Sequence, residues 1–490
     1  MSSPAEFPAG FVRPWKERVA SHRAEQLNDL PNDHVTNLDA LITTSAPKSL
    51  LVGTGFSIYT RALLPAILAA KRNVHFVTCY WAASPTLDAF SDALVRLAAS
   101  RAPWEGSAPP LRITIGFSSR ALFQKLFHTS SRDGYVYPPS QWARLGLPNQ
   151  DTLRSGGIEM TVKSLFFTPF SVMHPKYVIV DGARAFLPSC NVSWERWFEG
   201  CIELEGHVVR ALLTFHERVW GMSTAPDARP GRTDEMEADD PSVETSHISH
   251  ISNPAVTDTF EPGNDGSSAK QSIQLQFPKP VPTILLPSSH HRNPKFSFFP
   301  FLSQSNPPMT PLNAALLTLF ANARREITVL TPNLTSWPVL EALLAALARG
   351  VDVHIRTSKG MMMIEQLVTA GTTTSRCLQQ FIRQYQKLHS QRQPMDLEAQ
   401  PVSPGRLEIL YFKPLSGRIE SQDEPVVSHF KMTMIDGEYL VLGSGNMDRA
   451  SWWTSQELGM LFYVPGFQGH KMWDKILGWR TEVHFRSRSH

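Results

Sequence analysis

Five residues recur at one spacing in two places. The first string, HPKYVIVDGARAFLPSCN, carries His174, Lys176, Asp181, Ser189 and Asn191. The second, HFKMTMIDGEYLVLGSGN, carries His429, Lys431, Asp436, Ser444 and Asn446. Each corresponding pair is 255 residues apart, so both copies read H-x-K-x4-D-x7-S-x-N. With 17 histidines in the chain, one H-x-K-x4-D by chance is expected roughly 0.04 times, and two copies sharing the Ser and Asn are not accidental. These residue types suit a phosphodiester. One histidine can attack phosphorus while a second protonates the leaving oxygen. Two lysines and two asparagines supply donors for the charge on the non-bridging oxygens, and the hydroxyls of Ser189 and Ser444 add hydrogen bonds. An acid beside a catalytic histidine fixes its tautomer and supports its positive state. The lysines already bring positive charge, so neither a metal nor another cofactor is expected.

Strand periodicity explains how such a set converges. Alternate residues of an extended chain point to one side, so His174 and Lys176 face a common site. The apolar run Tyr177–Val180 anchors that strand in a sheet. Asp181 ends it, and Gly182, like Gly437, suits the turn of a hairpin. The return strand, Ala185–Leu187 or Tyr439–Leu442, brings Ser and Asn back beside the His-Lys pair. The second copy repeats the layout through Phe430 and Met432–Ile435.

The rest of the chain alternates strand-like and helix-like segments in both halves, which predicts an α/β fold with helices covering the sheets. NVHFVT (Asn73–Thr78) resembles EITVLT (Glu326–Thr331). LRITIGF (Leu111–Phe117) resembles VDVHIRT (Val351–Thr357), and IEMTV (Ile158–Val162) resembles LEILY (Leu407–Tyr411). The chain therefore reads as two copies of one α/β unit, residues 1–222 and 301–490. Residues 223–300 are rich in Ser, Thr, Pro and acidic residues and read as a disordered linker. The linker histidines His247, His250, His290 and His291 read as solvated rather than metal-binding.

The two strings resemble the paired HKD motifs of the phospholipase D superfamily. That resemblance implies two similar phospholipase D-like α/β sandwich domains about a pseudo-twofold axis, sharing one active site. It implies a phosphohistidine intermediate resolved by water or an alcohol, with His174 as nucleophile and His429 as general acid and then base. Lys176, Lys431, Asn191 and Asn446 would bind phosphate. A glutamate past each Asn would pair with the opposite histidine: Glu457 matches, and Glu203 is the nearest candidate in the first copy. The family glycine before the Ser is Gly443 in the second copy, but Pro188 in the first. Pro fixes φ and removes an N–H, which could weaken that half. The segment Leu330–Ile355 looks like cardiolipin-synthase-like members, so a phosphatidyl-transferring or phospholipid-hydrolysing enzyme is the first expectation. A nuclease or DNA-end phosphodiesterase of the same superfamily and a non-catalytic scaffold are the alternatives.

Composition narrows the partners. Lys+Arg 47 against Asp+Glu 44 leaves a charge of +3, with no overall field to draw nucleic acid. Hydrophobic residues make up 42%, enough for a large core. Four cysteines, Cys79, Cys190, Cys201 and Cys377, form no CxxC pair and fit a reducing, intracellular compartment. The N-terminus lacks a secretory h-region and only weakly suggests a mitochondrial transit peptide. No apolar run reaches the roughly 20 residues of a membrane span, so membrane contact would be peripheral. Trp194, Trp197, Phe198, Trp452 and Trp453 follow the motifs and read as core packing, or else as an apolar mouth for acyl chains. Cys190 reads as a buried small residue and Met361–Met363 as a flexible apolar plug. The basic helix Ser375–Arg392 reads as solvated and amphipathic, or else as a surface for anionic headgroups.

Overall fold

The chain builds one strand order twice. The first set is β1 (Ile42–Thr54), β2 (Asn73–Tyr80), β3 (Leu111–Ser119), β4 (Ile158–Ser164), β5 (Tyr177–Val180), β6 (Arg184–Pro188) and β7 (Trp197–Glu205). Here β4, β3 and β2 are parallel, and β5, β6, β7 and β1 follow antiparallel. After β8 (Gln271–Gln274), the second set is β9 (Val281–Ser288), β10 (Glu326–Leu330), β11 (Asp352–Thr357), β12 (Leu407–Phe412), β13 (Met432–Ile435), β14 (Tyr439–Gly443) and β15 (Glu457–Tyr463). Strands β12, β11 and β10 are parallel, and β13, β14, β15 and β9 follow antiparallel. The computed structural model describes residues 6–26, 32, 36–104, 106, 109–120, 134–167, 171–221, 271–289, 306–390, 403–415, 423–467, 473–474 and 476–487.

Helices cover these sheets. They include α1 (Ala9–Ala20), α2 (Pro85–Arg101), α3 (His207–Trp220), α4 (Pro311–Asn322), α5 (Trp337–Ala348), α6 (Met363–Ala370), α7 (Thr374–Ser390) and the short α8 (Arg449–Trp453). Their boundaries follow local chemistry: Ser84 caps α2 and Thr310 caps α4, each ahead of a proline at the helix start. Strand alternation divides the apolar residues between layers. Val74, Phe76, Val178 and Val180 enter the outer core of the first lobe. Val77, Tyr177 and Ile179 face a central core shared with Phe430, Met432, Met434 and Met460 of the second. The lobes meet closely there: a Cβ on Gly200 would stand 2.5 Å from the Phe430 ring.

Two expectations about chain division are corrected. The segment expected to be linker contains β8 and β9, and β9 pairs along its length with β15. Its sequence, VPTILLPS, is apolar and buried throughout, and this outweighs the polar composition of its surroundings. Residues 223–270 and 290–300 of the expected linker, including His247, His250, His290 and His291, lie outside the described residues. The N-terminal segment does not stay with the first lobe. Phe11, Trp15 and Val19 of α1 join the core of the second, and Trp15 Nε1 donates to the Pro311 carbonyl at 3.1 Å. Strand β1 bridges both halves, with Ile42–Ser45 on β9 and the stretch up to Thr54 on β7.

Candidate active site

Each histidine enters the site at the start of an antiparallel strand, β5 or β13. These strands begin beside the carboxyl ends of the parallel strands β2 and β10, because Tyr177 pairs with Val77 and Met432 with Leu330. The hairpins turn as Asp-Gly dipeptides should. Asp181 and Asp436 both have φ 55°, and Gly182 and Gly437 have φ 65° and 69°.

The lobes hold each other's histidines. The His174 amide donates to the Gln456 carbonyl at 3.0 Å, and His174 Nδ1 lies 2.8 Å from Glu457 Oε2. In mirror fashion, the His429 amide donates to the Phe198 carbonyl at 2.9 Å, and His429 Nδ1 lies 2.8 Å from Glu199 Oε1. Each glutamate is oriented by the serine of its own lobe. Ser189 Oγ donates to Glu199 Oε2 and accepts the Gly200 amide at 3.0 Å. Ser444 Oγ donates to Glu457 Oε2 at 2.5 Å and accepts the Leu458 amide at 3.0 Å.

Electrostatics assigns the protons. Burial pushes the carboxyls of Glu199 and Glu457 up, but the facing histidine and the lysines outweigh it and hold both below the usual range. Burial, aided by the lysines, lowers His174 and brings His429 down to about 3, against the pull of the glutamates. An ionised carboxylate only accepts, so each Nδ1 carries the proton and each Nε2 presents its lone pair. Lys431 Nζ lies 2.8 Å from His429 Nε2 and donates to the His429 carbonyl at 2.6 Å. Burial lowers this ammonium to about 7. Lys176 Nζ donates to the His174 carbonyl at 2.9 Å, and no hydrogen bond occupies His174 Nε2 among the described residues. The two imidazoles therefore differ: one lone pair is covered by an ammonium and the other is open.

Several expected residues stand elsewhere or do something else. Glu203 is not in the site; it pairs with Arg184 and accepts from Ser49 at 3.0 Å. Glu199 takes its place, because the loop between Asn and Glu is three residues shorter in the first copy. The signal that finds it is the strand pair: the carbonyls of Gly200 and Leu458, next to the two glutamates, accept the amides of the motif serines Ser189 and Ser444. Asp181 and Asp436 do not orient the histidines. A seven-residue extended run places each roughly 20 Å away. Asp181 instead accepts the backbone amides of Lys71, Arg72 and Asn73, and Asp436 those of Arg324, Arg325 and Glu326. Ser189 and Ser444 spend their hydroxyl protons on glutamates rather than presenting them to phosphate.

The asparagines flank the site. Asn191 Oδ1 accepts the Tyr80 amide at 3.2 Å. Asn446 Nδ2 donates to Asp448 Oδ2 at 3.1 Å. Asp448, which the motif reading passed over, is buried, is raised by burial, and lies close enough to His174 and Lys431 to act on both. Pro188 is accommodated: it pairs opposite Cys201, and the Ser189 amide still donates to Gly200 at 2.8 Å, as Ser444 does to Leu458 at 3.0 Å. Phe198, Trp452, Trp453 and Cys190 are core residues, whereas Trp194 is 57% exposed. The Trp197 ring centroid lies 4.6 Å from that of His429. Of the expected Met plug, Met361 is buried and Met363 opens α6 on the surface.

Residues 316–473 match the family model described as cardiolipin synthase, PLD-like domain. The crystal structure of phosphatidylserine synthase from Haemophilus influenzae Rd KW20 aligns over 96% of this chain and 92% of its own, with TM-score 0.53 and 13% identity. Nuc, a phospholipase D family member from Salmonella typhimurium, aligns over 35% of this chain and 89% of its own, with TM-score 0.24 and 16% identity. No curated protein sequence matches the chain. Residues 316–473 are thus similar to a phospholipase D-like domain, and the fold resembles that of the phosphatidylserine synthase over nearly the whole chain. The expected α/β fold is likewise found, as a mixed sheet like that of the phosphatidylserine synthase. Among the described residues no helix is long and apolar enough to cross a membrane.

Proposed function

We propose that this protein cleaves glycerophospholipids by phospholipase D chemistry, passing the phosphatidyl group through His174 to water or an alcohol. The crosswise histidine–glutamate pairs carry this reading, since neither lobe alone holds an oriented histidine. His174 Nε2, with its open lone pair, attacks phosphorus; an N–P bond forms and the bond to the headgroup oxygen breaks. His429, protonated at Nε2 once the anionic diester is bound, gives that proton to the departing oxygen. The neutral His429 then takes a proton from water or an alcohol. That oxygen attacks phosphorus, the N–P bond breaks and His174 is regenerated. Lys176 and Lys431 bind the non-bridging oxygens, drawn from the imidazole and carbonyls that they otherwise contact. No cofactor enters these steps.

The lipid as substrate is supported by the match to the cardiolipin synthase model and by the absence of an overall basic field. The assay is turnover of phosphatidylglycerol and phosphatidylcholine by purified protein, with acid quench and mass spectrometry of the His174 peptide. A phosphatidyl adduct on His174, lost in His174→Ala, is the expected result. No phospholipid turnover together with cleavage of DNA would overturn it.

A further inference from the structure

Helix α6 is built inside out. A surface helix normally turns its apolar stripe to the core. Here Met363, Ile364, Leu367 and Val368 share one face and are 54%, 81%, 46% and 56% exposed. The helix is tied down instead by a buried polar residue. Gln366 Nε2 donates to the Met361 carbonyl at 2.6 Å, and its Oε1 accepts the Thr374 amide at 2.6 Å. Glu365 makes its contacts within the protein.

The position of α6 gives this face a purpose. It follows β11 at the carboxyl edge of the parallel strands, where the site lies. Ser358, on the connecting loop, donates to the Ser428 carbonyl at 2.6 Å and accepts the Ser428 amide at 3.0 Å, and Ser428 precedes His429. The helix also packs on α8, just past Asn446. Exposed Trp194, three residues past Asn191, stands on the first lobe's side of the same edge. Cations flank the apolar face: Lys359 before α6 and Arg376 after it are exposed, and Arg383 and Lys387 continue along α7.

We propose that α6 docks the protein on a bilayer carrying anionic phospholipid. Its four apolar side chains enter below the headgroups while Lys359 and Arg376 meet the headgroup phosphates. Apolar area and cationic flanks together are what an interfacial helix uses. A hydrophobic protein partner would not call for the cationic flanks, nor for a place beside the mouth of a lipid-cleaving site. This inference rests on the substrate being a membrane lipid.

The test uses the full chain and the double variant Ile364→Asp/Leu367→Asp. Co-sedimentation is measured with phosphatidylcholine vesicles with and without phosphatidylglycerol, and turnover with bis(4-nitrophenyl) phosphate, a water-soluble diester. The parent should prefer the anionic vesicles. The variant should lose about tenfold or more in vesicle affinity, as burying apolar residues predicts, and keep its turnover of the soluble diester. Equal vesicle binding by parent and variant overturns the proposal. So does loss of soluble-diester turnover in the variant, which would make α6 part of the site. So does a parent dimer that the variant breaks, which would make the covering partner a second copy. Vesicle binding through α6 without phospholipid turnover would instead overturn the substrate reading and leave the docking intact.

Discussion

Glu199 holds His429 from 230 residues away in the chain, with Oε1 2.8 Å from Nδ1 and both side chains nearly fully buried. An acceptor-only group at Nδ1 leaves Nε2 as the one nitrogen able to exchange a proton with substrate. Glu199→Gln removes that certainty, since an amide can donate as well as accept. We predict a fall in kcat of about ten-thousandfold for Glu199→Gln, in line with losing the acid that orients a catalytic histidine. Glu203→Gln, at the Arg184 pair, should leave kcat unchanged. Steady-state kinetics on one phospholipid checks both, and a loss of kcat in Glu203→Gln with none in Glu199→Gln would return the role to Glu203.

The unequal Nε2 environments predict unequal variants. With bis(4-nitrophenyl) phosphate the leaving oxygen needs no proton. His429→Ala should therefore release one equivalent of nitrophenol in a burst and then stall as the His174 adduct. His174→Ala should give no burst. Rapid-mixing absorbance reads both. A burst from His174→Ala with none from His429→Ala would exchange the two roles.

Lys431 should set the alkaline limb of kcat/KM. Its ammonium, lowered by burial to about 7, is present below that pH and lost above it, so kcat/KM falls as pH rises through about 7. Lys431→Gln should flatten this limb and lower kcat/KM by about a hundred- to a thousandfold, the usual cost of removing one donor to a developing oxyanion. A full pH profile of parent and variant decides. An alkaline limb that survives in Lys431→Gln would assign it to another group.

The fold and the histidines and lysines were legible because they repeat. Two strings at one spacing declare a shared site, and Tyr177–Val180 and Met432–Ile435 are strands at the expected bounds. Roles that depend on contacts between the halves were not legible. Nothing local in EGCIELE marks Glu199 over Glu203; the choice is made by the register of β7 on β6, which turns Glu199 to Ser189 and Glu203 to Arg184. The aspartates misled for a related reason. They sit in the motif, yet act at the far end of the strand, each gathering three backbone amides. Asp436→Ala should therefore lower stability by about 1–3 kcal/mol, the cost of leaving such groups unpaired, while a folded sample keeps its kcat. Thermal melts and kinetics on the same preparation check this.

A second buried cluster, outside the site, should limit the protein in acid. His75 on β2 and His216 on α3 are fully buried, with ring centroids 4.6 Å apart. Thr114 Oγ1 lies 2.8 Å from His75 Nδ1, and the Tyr177 hydroxyl lies 3.0 Å from His216 Nδ1. Burial lowers His75 to about 4, and burial together with His75 and Lys163 takes His216 well below its ordinary value. The folded protein thus refuses protons that the unfolded chain accepts near its ordinary pKa of about 6.5. Between about 6.5 and about 4 the unfolded state binds more protons, so stability falls as pH falls, by roughly 3 kcal/mol for His75 alone. The melting temperature should therefore drop between about pH 7 and pH 5, and drop less in His75→Gln, whose amide does not titrate. A melting temperature equal at the two pH values, or an equal drop in parent and variant, would show that this pair does not govern acid stability.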